Sequence, residues 1–337
     1  MNGRDLDQWL GATGMKIIYN CYGGSHSSVT AAAIHLGLVN SEQTPGARDL
    51  WKLPYYDAQV KKDHGTLFFM GTDQLGHQVY VAGRRNMARP MLRAMRGIAQ
   101  VFGIPEEDFQ LVDPMPYVNP AMVVGGITSR RLGLAALGKP IVTWGTRLAF
   151  PQLAKLVSRV KSRLEAAKRI DFTPAVKKVV VYCDYTGGQQ AAYAAARHLG
   201  KDWRKLSYGH APAGTLRFWG KDSGGHEVYS LGVLYENELI IKLVREFARL
   251  YAIPDGNLIL TDLTPLDRVS FGVGAVLERM SPLRWLGQIW TNFSVAQRAD
   301  RIDQVVRGVK EQLADSAAKV SRPEDHEFSP SPTRLMH

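Results

Sequence analysis

Two blocks of this sequence occur twice, in the same order. Residues 16–37, KIIYNCYGGSHSSVTAAAIHLG, return as residues 179–200, VVVYCDYTGGQQAAYAAARHLG. At a constant offset of 163, Tyr19 meets Tyr182, Tyr22 meets Tyr185 and Gly24 meets Gly187. Ala31 to Ala33 likewise meet Ala194 to Ala196, and His35-Leu36-Gly37 meets His198-Leu199-Gly200. The second block, residues 65–83 (GTLFFMGTDQLGHQVYVAG), matches residues 214–232 (GTLRFWGKDSGGHEVYSLG) at an offset of 149, with eleven of nineteen positions identical. That offset also pairs Ile104-Pro105 with Ile253-Pro254, Asp113 with Asp262, and Pro116 with Pro265. Two gap-free blocks in one order imply a duplicated unit. The change in offset puts 14 extra residues into the first copy, around residues 38–64.

The expected organisation is a first repeat over residues 15–165, a second over 178–320, and a disordered tail over 321–337, SRPEDHEFSPSPTRLMH. The boundary falls near Asp171 and Pro174, which end a basic helical pattern. Residues 1–14 precede the repeat and carry no long apolar core, so they read as an extension or a misassigned start rather than a signal peptide.

Within one unit, Lys16–Asn20 is an apolar β-branched run and reads as a buried strand. Ser27–Leu36 is an Ala-rich helix closed by Gly37. Leu67–Gly71 and Gln78–Ala82 read as a hairpin with Gly76 in its turn. Asn86–Phe102 carries a helical apolar stripe through Met91, Met95, Ile98 and Phe102. Phe109–Asp113 reads as a strand, Ala121–Leu132 as a helix, Ile141–Trp144 as a third apolar strand and Leu148–Leu164 as a basic amphipathic helix. Alternating strands and helices predict two tandem three-layer α/β units with mainly parallel sheets, each with a β-hairpin. Ligands of such sheets bind beyond the carboxyl ends of the strands. Cys21, Asp113 and the segment Gly145-Thr146-Arg147 are expected to converge on one such rim.

The strongest local signal is CYGGSHSS, Cys21 to Ser28, between a buried strand and a helix. Gly23 and Gly24 allow a tight turn that exposes backbone amides. Those amides and the helix N-terminus form an anion site, to which Ser25, Ser27 and Ser28 add hydroxyls. The bland alternative is a capped turn with no ligand. Cys21 is a candidate nucleophile if the helix N-terminus and His26 activate its thiol, and otherwise a small buried hydrophobe at a strand end. Copy 2 loses most of these groups. Asp184 stands in place of Cys21, Gly188-Gln189-Gln190-Ala191 in place of Ser25 to Ser28, Ala213 in place of His64, and Val233-Leu234 in place of Arg84-Arg85. Groups found in copy 1 alone are therefore the site candidates: Cys21 and His26 as reactive groups, and Gly23, Gly24, Ser25, Ser27, Ser28, His64, Arg84 and Arg85 as ligand contacts. Asp113 joins them as a possible ligand contact, though capping the following segment is the favoured role because Asp262 recurs in the same setting. His35 and His198 read as helix packing, His77 and His226 as turn chemistry. Arg130-Arg131 interrupt an apolar helix and either snorkel or bind an anion.

The loop is no Walker A motif, because Ser27 stands where its lysine would be, and it is not GxGxxG. It resembles the C-x-G-G-x-[ST]-x-S turn of the IIB proteins of sugar phosphotransferase systems. It is similar to the cysteine loop of low-molecular-weight tyrosine phosphatases, except that Ser27 replaces the arginine, which argues against phosphatase chemistry. On a longer span, MKIIYNCYGGSHSSVTAAAIHLG, LPYYD, DHG, FMGTD, VYVAGRR, LVD and SRRLGLAALG in order resemble a bacterial family, domain of unknown function 3189, over residues 15–160. The resemblance implies no activity.

The formal charge of +11 either reflects a soluble protein from a basic proteome or invites an anionic partner, of which a phosphate-bearing small molecule fits the loop best. No RNP-type aromatic signature or zinc-finger spacing is present, so sequence-specific nucleic-acid binding is not expected. No HExxH, CxxC or EF-hand spacing is present, so no dedicated metal site is expected, and the cofactor is unknown. Two cysteines make no disulfide framework, which fits a cytoplasmic setting. No run of 18 apolar residues occurs, so no transmembrane span is expected. The rival reading, from a different class, is a non-catalytic interaction protein whose basic and apolar helices meet a protein partner or a membrane surface.

Overall fold

A computed structural model describes residues 14–166, 171–184, 188–202, 211–233, 236–263 and 297–320, together with Leu286, Ile289, Trp290 and Phe293. The expected disordered tail lies outside the described residues. The first unit runs β1 (Lys16–Cys21), α1 (Ser27–His35), α2 (Ala47–Trp51), β2 (Leu67–Thr72), β3 (Gln78–Gly83), α3 (Ala88–Phe102), β4 (Phe109–Val112), α4 (Pro120–Gly126) and α5 (Ala135–Ala166). The second runs β5 (Val179–Asp184), α6 (Gln189–His198), β6 (Leu216–Lys221), β7 (Glu227–Gly232), α7 (Asn237–Leu250), β8 (Leu258–Asp262) and α8 (Ala299–Val320). The sheet orders are β2-β3-β1-β4 and β6-β7-β5-β8, the same topology twice. In each, the central strand pairs in parallel with both neighbours, and the hairpin supplies one antiparallel edge.

Alternation in β1 sends Ile17 and Tyr19 to one face, against α1 and α5, and Ile18 to the other, against α3. α3 and α7 then form a layer shared by both sheets. Met91, Met95 and Phe102 of the first unit and Phe247 of the second are at most 2% exposed in that common core. Burial of such a side chain contributes roughly 1.5–3 kcal/mol. The join is nearly two-fold. A Cβ on Gly65 would lie 3.1 Å from the Leu239 carbonyl oxygen, and one on Gly214 would lie 2.2 Å from that of Pro90. Gly65 corresponds to Gly214 and Pro90 to Leu239, so this is one close approach made twice.

Both units also contain the same buried polar chain. Tyr19 Oη lies 2.8 Å from His35 Nδ1, whose Nε2 is 3.0 Å from Asp73. Tyr182, His198 and Asp222 repeat it at 2.8 and 3.1 Å. It ties strand, helix and hairpin turn together, as the packing role expected for His35 and His198 requires. His77 accepts from the Met15 amide and His226 contacts Asp222, both at their hairpin turns.

Two expectations are corrected. Ile141–Trp144 is not a strand but part of α5, which continues through Pro140 and Pro151. Its burial follows a helical period: Val142, Ala149, Phe150, Leu153 and Val157 face the sheet, whereas Ile141, Trp144 and Leu148 face outward. A four-residue apolar run cannot distinguish the two periods, and the helical burial beyond it decides. Gly145-Thr146-Arg147 is therefore mid-helix and not at a strand end. The helix expected over Ala121–Leu132 is α4 followed by a π-turn at Ile127–Arg131.

Candidate functional site

Cys21 ends β1 with its side chain on the α1 face, and it is 5% exposed. Its sulfur accepts from the Gly24 amide at 3.1 Å and lies 3.2 Å from Ser28 Oγ. Gly24 is in the left-handed region at φ 76, and a Cβ there would strike Gln59 Oε1 at 2.3 Å and the Gly83 nitrogen at 2.6 Å. The second glycine of the loop is thus required twice, for its conformation and for lack of space. Gly23 has open space around it. Ser25, Ser27 and Ser28 are all buried, and α1 begins without a side-chain cap. Among the described residues, no group accepts from the backbone amides of Ser25, His26, Ser27 or Ser28.

The loop is held from residues 38–64, the stretch that is 14 residues longer in copy 1. Asp57 donates its amide to the Ser25 carbonyl at 3.1 Å, and Gln59 donates its amide to Ser25 Oγ at 3.1 Å and its Nε2 to the Gly24 carbonyl at 2.7 Å. Gln59 Oε1 is buried without a partner among the described residues. The Asp57 carboxylate is itself a hub. His26 Nε2 lies 3.0 Å from Oδ1, Ser129 Oγ donates to Oδ2 at 2.8 Å, and Arg130 Nε reaches Oδ1 at 2.8 Å. Burial pushes this carboxyl up, but the hydrogen bonds from His26 and Ser129, with the charge of His26 and the bond from Arg130, outweigh it and hold it at about 2. The carboxylate being unprotonated, the shared hydrogen is on His26 Nε2.

The remaining expected site residues divide into two groups. Arg84 is buried and fully engaged, donating to Asn20 Oδ1 at 2.7 Å, to the Arg85 carbonyl at 2.9 Å and to Asp113 at 2.7 Å. Asp113 also caps the Met115 amide at 2.9 Å. Together these residues bracket the carboxyl ends of β1, β3 and β4. On the other flank, Arg85 donates from Nε to His64 Nδ1 at 2.9 Å and pairs with Glu236 of the second unit. Burial and the Arg85 charge lower the His64 pKa. His64 stacks edge-on against Tyr22 and closes on Gly83 beside the Gly23 carbonyl. Around the loop, Cys21 meets Ser28, His26 meets Asp57, His64 meets Arg85 and Arg84 meets Asp113. A cavity of about 480 Å³ lies elsewhere, lined by Arg93, Arg96, Gln100, Glu106 and Thr215 among others. Among the described residues, no cluster of three His, Cys, Asp or Glu side chains suits a metal ion.

Copy 2 shows what the same turn does with an anion. The Asp184 carboxylate accepts the Gly188 amide at 2.7 Å and the Ala191 amide at 2.9 Å. Gly188 and Ala191 correspond to Ser25 and Ser28, and Asp184 to Cys21. The second unit therefore fills its helix N-terminus with its own carboxylate, where the first has a thiol.

Sequence reasoning did not single out Asp57, Gln59, Asn20 or Ser129, and it left Arg130 between two roles. Asp57 and Gln59 lie in the stretch where copy 1 is 14 residues longer, so the pairing of positions there is not fixed and comparing aligned residues could not single them out. The insertion itself was the available signal.

These features define a duplicated α/β protein with a braced glycine-serine turn in its first unit. The chain belongs to the family described as protein of unknown function (DUF3189), whose model matches residues 16–162 and again residues 179–311. The two matches are the two copies of a tandem duplication. No curated protein matches the chain. Among the described residues, no helix is long and apolar enough to cross a membrane.

Proposed function

We propose that the first unit binds a phosphate-bearing or otherwise anionic small molecule on the amides of Ser25 to Ser28. The observation that carries this reading is the Asp184 carboxylate, which occupies the equivalent amides of the second unit at 2.7 and 2.9 Å. Oriented amides at a helix N-terminus favour negative charge. Copy 1 lacks the internal carboxylate and leaves the amides to a ligand. Gly23, Gly24 and the three serines shape the turn. His26 serves as its anchor through Asp57, while His64 and Arg85 flank it. Arg84 and Asp113 act behind it as a structural bracket. Cys21 is the candidate nucleophile towards a phosphoryl group, and its free thiol suits a reducing cytoplasm.

The test is thermal unfolding of the whole protein with inorganic phosphate or adenosine monophosphate. Binding stabilises the folded state by about 2.7 kcal/mol at a hundredfold excess over the dissociation constant. Cys21→Asp should place a carboxylate in the copy 1 turn as Asp184 does in copy 2, and should abolish the response. An undiminished response in that variant would move the site away from this loop.

A further inference from the structure

The α4–α5 hairpin of the first unit presents large apolar side chains to solvent. Val123, Val124, Ile127, Leu132, Leu134, Leu137, Ile141, Trp144 and Leu148 are each 38–64% exposed within 26 residues. Leu137, Ile141, Trp144 and Leu148 follow helical spacing along α5 and form one stripe. Isolated exposed apolar residues are ordinary, but a contiguous face of this kind marks a contact surface.

The second unit keeps the feature. At the offset of 149, Leu137, Ile141 and Trp144 correspond to Leu286, Trp290 and Phe293. All three are large, and all three are 38–58% exposed. The offset is secure there, because the buried residues Leu153, Val157, Val160 and Leu164 meet the equally buried Ile302, Val306, Val309 and Leu313. The copy that has lost the polar turn has retained the outward apolar residues.

Charge decides what covers this face. Residues 114–164 contain eight Lys or Arg and no Asp or Glu. Beyond Leu148 the outward face of α5 continues through Pro151 to the exposed Lys155 and Arg159. A helix with an apolar end and a basic end, its one acidic residue being Glu165 in the last turn, is the pattern of a segment lying in a membrane interface, its apolar residues among acyl chains and its cations among headgroups. We propose that the α4–α5 face docks on an anionic lipid bilayer. The protein lies on that surface without crossing it, and this docking is independent of the ligand reading of the copy 1 turn.

The experiment is co-sedimentation of the full chain with vesicles of phosphatidylcholine alone and with vesicles in which phosphatidylglycerol replaces a third of the lipid. The protein should pellet with the anionic vesicles, remain in solution with the neutral ones, and be released by added salt. Leu137→Gln combined with Trp144→Gln should weaken partitioning about tenfold or more, with an unchanged melting temperature because both side chains face outward. Lys155→Gln combined with Arg159→Gln, which leaves the apolar stripe intact, should weaken it similarly. Wild-type protein that stays in the supernatant with anionic vesicles, or a Leu137/Trp144 variant that pellets as well as wild type, would overturn the proposal. So would self-association in solution that the Leu137/Trp144 variant abolishes while vesicles bind nothing, which would assign the face to a second copy of the chain.

Discussion

Cys21 and Asp184 occupy the same position in the two units, and each accepts a backbone amide from the turn that follows it, Cys21 from Gly24 at 3.1 Å and Asp184 from Gly188 at 2.7 Å. The carboxylate reaches further, to the Ala191 amide, whereas the sulfur stops at the Ser28 hydroxyl. One fold therefore has two ways of meeting the start of a helix, a carboxylate on two amides or a thiol on one.

Asp184→Ala should expose that difference energetically. It leaves the Gly188 and Ala191 amides without their acceptor in a buried setting, and charge-assisted bonds of this type are worth about 1.5–3 kcal/mol. Chemical denaturation should show a loss of that order, and added phosphate should recover part of it. A variant as stable as wild type would mean that the carboxylate contributes nothing to this turn.

The two thiols should react differently. Cys183 is fully buried on the opposite face of its sheet, and burial, with the charges of Asp262 and Asp184 adding to it, pushes its pKa well up. Cys21 retains 5% exposure beneath a glycine turn. Iodoacetamide labelling of native protein near neutral pH, read by mass spectrometry, should modify Cys21 first, and bound phosphate should slow it. Labelling of Cys183 ahead of Cys21 would remove the thiol-nucleophile idea and leave the turn as a binding element.

Asp57 links stability to pH. Its carboxyl is held at about 2 against an ordinary 3.8, so its contribution is present above about pH 4 and disappears as pH falls towards 2. The shift corresponds to about 2 kcal/mol. Asp57→Asn should be less stable than wild type by about that amount at pH 7, and the gap should close on acidification. A gap that stays constant from pH 7 to 2 would show that the carboxylate charge is not what His26, Ser129 and Arg130 recognise.

Gly83 sets the floor of the loop. A Cβ there would meet the Gly23 carbonyl oxygen at 2.8 Å and His64 Cδ2 at 2.9 Å. Gly83→Ala should cost roughly 1–3 kcal/mol by overpacking and should blunt the phosphate response by displacing the turn. Wild-type behaviour in both assays would show that the turn yields freely.

Much of the architecture was legible in the chain, because duplication makes a sequence its own comparison. Tyr19 and His35 recur as Tyr182 and His198, and the hairpin recurs without a gap, with eleven of nineteen positions identical, so repeated patterns pointed to repeated folds. The strand–turn–helix around Cys21 was legible too, since β-branched runs, paired glycines and an Ala-rich stretch each have a local physical reason for their form. Locality also set the limit. Ile141–Trp144 carries strand-like residues, yet α5 continues through them because Val142, Phe150 and Leu153 bury on one helical face.

Sequence by itself determined that there are two units and which turn differs between them. Tertiary structure decided what that turn is attached to. His26 meets Asp57 across 31 positions, Asp57 meets Ser129 across 72, and Arg85 meets Glu236 across 151. No local propensity specifies such pairs. They form because the sheet order brings distant segments to one rim, where a buried carboxylate must find donors or bear the full cost of desolvation.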